Sequence, residues 1–115
     1  MPSNEEPGEI RVSVSTLVEM AARAAFQVEG VRGDFNHILQ NTKVILRGEP
    51  LPLNEKVSTN REDVFVNISL KVYSQENWGE VAREVQKKVS DALRSWGFPL
   101  KGVNVEVSEV DWFLE

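Results

Sequence analysis

The stretch Asn77–Gly97, NWGEVAREVQKKVSDALRSWG, places Trp78, Val81, Ala82, Val85, Val89, Ala92, Leu93 and Trp96 at steps of three and four. That spacing lines them up along one stripe of a helix. Asn77 suits the cap of the first turn, and Glu80, three residues on, can reach back to complete a capping box. Gly97 suits the left-handed residue that closes a helix, and Pro99 discourages a restart. Directly upstream, VFVNISLKVY (Val64–Tyr73) alternates, with Val64, Val66, Ile68, Leu70 and Val72 on one face. The other face carries Phe65, Asn67, Ser69, Lys71 and Tyr73. A sheet with one apolar face and a helix with one apolar stripe bury each other.

Outward from this pair the same logic applies. Glu9–Val14 reads as a first strand, with Ile10, Val12 and Val14 facing in. Ser13 and Ser15 both suit the N-cap of the helix that follows, in which Leu17, Ala21, Ala24, Ala25 and Val28 recur at helical spacing. Its alanine-rich face predicts close packing, and Gly30 suits its end. In Val31–Asn41, Phe35, Ile38 and Leu39 fit one short helical turn or a tucked loop. Thr42–Arg47 reads as a second strand, and Gly48–Asp63 as a long exposed connection. Val103, Val105 and Val107 make a last strand, but Val110, Trp112 and Leu114 fall on the opposite parity. The strand therefore ends, bulges or hands over to a tail after Ser108.

The expected fold is α+β: a two-layer sandwich of order β-α-β-β-α-β, a four-stranded sheet with two helices on one face. At 115 residues the chain makes one domain over 9–115, preceded by a disordered lead-in over 1–8. The N-terminal segment has neither the basic nor the apolar part of a secretory signal, and the absence of cysteine removes disulfides and thiolate sites. These features predict a cytoplasmic protein. A net charge of −5 opposes binding to phosphate backbones and anionic membranes, leaving proteins as the natural partners.

No constellation for chemistry emerges. His37 is the single histidine, and only Asp34 lies near enough in sequence to orient it, so it reads as a packing residue. Gly30-Val31-Arg32-Gly33 spells the GxxG of KH modules, but a clear second helix is missing after it and Asp34 follows. No catalytic residue, cofactor site or metal site is expected. The tail Val110–Glu115 carries Trp112, Phe113 and Leu114, which either dock on the core or anchor an interface.

The segments EIRVS, AARAAFQVEGV, WGEVAREVQKKVSDAL and GVNVEV, taken in order, resemble the bacterial alkaline shock protein family of envelope stress response proteins. The resemblance spans Glu9–Val107 and is most specific at Val28-Glu29-Gly30-Val31 and Val81-Ala82-Arg83-Glu84-Val85-Gln86. Val14 or Ser15 stands where that family commonly has proline, and Gly48–Asp63 exceeds its usual link. The resemblance implies a non-enzymatic, self-associating scaffold of the cytoplasm; some members of that family are held at the inner face of the membrane by a membrane-embedded protein partner, and others have no assigned role. On that reading the contact residues are Trp112, Phe113 and Leu114, with Phe65 and Tyr73 on the outward sheet face. A KH-like nucleic-acid module using the Gly30–Gly33 turn is the alternative.

Overall fold

A computed structural model describes residues 8–73 and 75–111. In chain order its elements are β1 (Arg11–Ser13), α1 (Val14–Phe26), β2 (Val31–Arg32), α2 (Phe35–Gln40), β3 (Thr42–Leu46), β4 (Glu49–Pro50), β5 (Lys56–Ser58), β6 (Val64–Tyr73), α3 (Trp78–Ser95) and β7 (Gly102–Asp111). The long alternating segment becomes the central strand. β7 runs parallel to it along one edge, from Phe65↔Gly102 to Tyr73↔Asp111. β3 and β2 share the opposite edge, both antiparallel, and β4 continues the sheet from β3.

Val64, Val66, Ile68, Leu70 and Val72 are all buried, against the apolar faces of α1 and α3. Each such side chain contributes roughly 1.5–3 kcal/mol on leaving water, so this one strand is a large share of the core. The helix side is an α+β layer, as expected, but the sheet is not the expected one. It holds five strands, β1 is not among them, and three helices rather than two are present.

The first strand is displaced by the long connection. β1 pairs antiparallel with β5, Val12 opposite Val57, as a separate two-stranded sheet. Capping chemistry explains the diversion. Ser13 is the N-cap of α1, so Val14 begins the helix instead of ending the strand. The amides of Val14 and Ser15, which no helical carbonyl can serve, donate to Glu55 O at 2.8 Å and Leu53 O at 3.0 Å. The Gly48–Asp63 segment thus holds down the start of α1 and is not a plain exposed connection. Val57 is buried in the core, whereas Ile10, expected to face inward, is 66% exposed.

A two-residue turn, Arg47-Gly48, joins β3 to β4 with both residues at positive φ (55° and 80°), the twist that suits a tight hairpin. α2 is a full short helix capped by Asp34, whose Oδ1 accepts from the His37 amide at 2.8 Å. Thr42 then ties its end to β3 by donating to Ile38 O at 2.7 Å.

α3 matches its reading closely. Asn77 Oδ1 accepts from the Glu80 amide at 3.1 Å. At the far end the Gly97 amide donates to Arg94 O and the Phe98 amide to Leu93 O, both at 2.9 Å, a Schellman closure with Gly97 at φ +90°. Phe98 and Leu93 are both buried, as that motif favours. The two tryptophans of the stripe are the exception: Trp78, the first helical residue, is 42% exposed and Trp96, the C-cap, 77% exposed.

Two measurements check this account. Gly30, at φ +98°, meets α3 so closely that an added Cβ would lie 2.8 Å from Val81 Cγ2, whereas Gly97 has nothing within 4 Å. Gly97→Ala should therefore cost only its backbone strain, about 1 kcal/mol. Gly30→Ala adds a steric term and should cost at least about 2 kcal/mol, read by denaturant melts. At the start of β6, Arg61 grips Asp63 with two bonds of 3.0 and 2.8 Å. Those bonds hold the Asp63 carboxyl below its ordinary range. The native carboxylate is thus favoured above the unfolded pKa, and that contribution fades as pH falls through the native one. A carboxyl NMR titration of Arg61→Ala should show the Asp63 midpoint moving back up toward 3.8.

Candidate interaction surface

Because paired residues in a sheet share a face, the register assigns every outward side chain of the second sheet face. Three cross-strand rows are defined. Ile45, Phe65 and Gly102 make the first; Lys43, Asn67 and Asn104 the second; Arg32, Lys71 and Glu109 the third. Ser69 and Glu106 stand between the second and third, and Tyr73 lies beyond the third. The helices occupy the opposite side, over the buried alternate positions, so among the described residues this face remains the uncovered one.

Neighbours along the rows satisfy one another. Asn104 Nδ2 donates to Asn67 Oδ1 at 2.9 Å, and Ser69 Oγ donates to Glu106 Oε1 at 3.0 Å. Lys71 Nζ lies 3.3 Å from Glu109 Oε1. The Arg32 guanidinium sits 5.6 Å from the Tyr73 ring centroid, within cation–π range. The Phe65 ring covers Gly102, whose added Cβ would lie 3.3 Å from it. A glycine beside an aromatic ring lets that ring lie flat on the sheet, which orders Phe65 without burying it.

The parity change after Ser108 is resolved as a bulge. The register shifts between Leu70 and Lys71, leaving Ser108 as the extra residue, and its Oγ donates to Leu70 O at 3.2 Å. Val110 thereby returns to the core side and Glu109 to the outward face.

Of the five contact residues expected from sequence, Phe65 and Tyr73 lie on this face, half-buried and eight residues apart along β6. Trp112, Phe113 and Leu114 lie outside the described residues. Trp78 and Trp96 are exposed aromatics that periodicity assigned to the core. Their place at the first helical residue and at the C-cap is the signal that could have marked them.

Asp34 is spent on the cap of α2, and His37 Nε2 is buried without a hydrogen-bond partner among the described residues. A helix does follow Gly33, contrary to expectation, so the GxxG stretch lies between α1 and α2. Its central pair is nevertheless bound as β2, Val31 opposite Val72 and Arg32 opposite Lys71. No group of three or more histidines, aspartates or glutamates among the described residues is placed to hold a metal ion. A groove of about 740 Å³ between α1, the end of α2 and the β3–β4 hairpin is lined by Val18, Leu39, Val44, Leu51 and Leu53. Among the described residues no helix is long and apolar enough to cross a membrane.

Comparison with known proteins adds the family. Similar solved structures include the nickel form of a MamM CTD variant, 16% identical, covering 86% of this chain and 98% of that chain at a TM-score of 0.47. A copper form of a second variant is 15% identical, with coverages of 86% and 96% and the same TM-score. No curated protein sequence matches significantly. The model of the alkaline shock protein 23 family, described by its cell envelope-related function, matches residues 2–112. The chain belongs to that family.

Proposed function

We propose that the protein is a non-enzymatic scaffold that acts by self-association and by binding a protein partner, in the service of the cell envelope. The observation that carries this reading is the uncovered sheet face, which holds Phe65 and Tyr73 in fixed positions beside a strand that leads directly into Trp112, Phe113 and Leu114. Rigid aromatics on an exposed surface supply binding area at low entropic cost. Family membership supplies the envelope setting. The protein would work in the cytoplasm and reach the inner face of the membrane through a membrane-embedded partner. It would require no cofactor.

The KH-like alternative is favoured by one feature, the short helix after Gly33. Against it stand the pairing of Val31 and Arg32 to β6 and the acidic balance of the chain. Single-stranded RNA titrated at low salt separates the two. Affinity that falls steeply with salt and disappears in Gly33→Asp would establish the alternative.

The scaffold reading predicts that truncation after Val110 weakens self-association or partner binding while the domain stays folded. Light scattering across micromolar to millimolar concentrations, with a thermal melt alongside, checks it. A fall of many degrees in Tm at unchanged oligomeric state would make the tail a piece of core instead.

A further inference from the structure

We infer that the uncovered sheet face is a homodimer interface whose two-fold axis runs parallel to the strands. The inference rests on the self-association reading above and names the partner, a second copy of this chain, and the geometry of the contact.

Charge is distributed unevenly across the rows. On the β2–β3 side the outward charges are Arg32 and Lys43; on the β7 side they are Glu106 and Glu109. All four side chains belong to exposed residues. The middle strand contributes Lys71, which is already tied to Glu109. The face is therefore basic along one flank and acidic along the other, with a compensated centre.

Two such faces can be stacked by a two-fold axis in either of two directions. An axis lying across the strands superposes each flank on itself, acid on acid and base on base. An axis along the strands superposes opposite flanks. Like charges brought together cost several kcal/mol in total; the axis along the strands opposes only the two Lys71 side chains, each held by its own Glu109, whereas the axis across them opposes both flanks, so electrostatics selects the second arrangement.

In that arrangement the rows match. Arg32 faces Glu109 of the partner subunit, and Lys43 faces Asn104 of the partner subunit with Glu106 of the partner subunit one step away. Ile45 falls over Gly102 of the partner subunit and so onto the ring of Phe65 of the partner subunit, which covers that glycine, and the two Phe65 rings lie near the axis. Stacked sheets cross at about 30°, an offset that the long lysine and arginine side chains can span. A nucleic acid would meet the glutamate flank, and a bilayer would have to bury five charges. The second copy is the partner this pattern fits.

The test uses the full chain in sedimentation equilibrium, native mass spectrometry and circular dichroism. The Glu106→Lys/Glu109→Lys double variant and the Arg32→Glu/Lys43→Glu double variant should each keep the native spectrum. Each should dimerise at least about tenfold more weakly than the parent. An equimolar mixture of the two should recover association, as a heterodimer that outnumbers both homodimers. Raising salt from about 50 to 500 mM should weaken the parent dimer. If the parent dimerises and neither variant weakens it, this interface is wrong while the self-association reading stands. If both variants weaken it and the mixture does not recover, the contact is not electrostatic and this interface is wrong; if the parent pairs more readily with the Arg32→Glu/Lys43→Glu/Glu106→Lys/Glu109→Lys variant than with itself, the axis direction is wrong. A parent monomeric at millimolar concentration overturns both readings.

Discussion

The structure depends on a single strand having both edges and one face committed. Along β6 the ladder to β7 runs the whole length of one edge, while β3 and β2 divide the other. Its alternate side chains then meet α1 and α3. Pairing on both edges fixes register, because a slip of one residue would expose five buried side chains and bury Asn67 and Lys71. Since the inner face is used up in holding the helices, the outer face is the part of the sheet available to a partner. The same constraint that specifies the core therefore also specifies which residues can act.

Which parts of this were legible follows from where the information lies. α3 and β6 were readable because each signal is local: a periodicity, a cap at Asn77, a stop at Gly97. The diversion of β1 was not. Arg11–Ser13 has an ordinary strand pattern, and its partner is chosen by the unserved amides of Val14 and Ser15, which recruit carbonyls forty residues downstream. The burial of Phe98 and Leu100 was missed for a related reason. They follow the helix stop and lack periodicity, yet the Schellman closure turns the chain straight back onto the core. Trp78 and Trp96 erred the other way, since periodicity assigns a face along the whole helix and does not say that burial stops short of its first residue and its C-cap.

The candidate interaction surface was half legible. Alternation along β6 was enough to place Phe65 and Tyr73 outward. Their neighbours are non-local: Gly102 and Arg32 come from strands 37 and 41 residues away, and no window of sequence brings them together. The candidates for chemistry failed on short-range grounds. Asp34 stands three residues before His37, the spacing of an N-cap to its amide, and that use competes directly with orienting the imidazole.

The bulge at Ser108 joins the two halves of the argument. In an unbroken ladder the alternation begun at Val103, Val105 and Val107 would turn Glu109 toward the helices and Val110 toward solvent. A charge would enter the core side and a valine would be lost from it. The extra residue reverses both at once, and the Ser108 hydroxyl engages the Leu70 carbonyl where the ladder is interrupted. The Glu109 position of the acidic flank thus depends on the same bulge that returns Val110 to the core, while Glu106 precedes it. Removing the bulge would unbalance the interior and take Glu109 from the outer face together, so in this strand the packing of the core also sets part of the charge pattern of the surface.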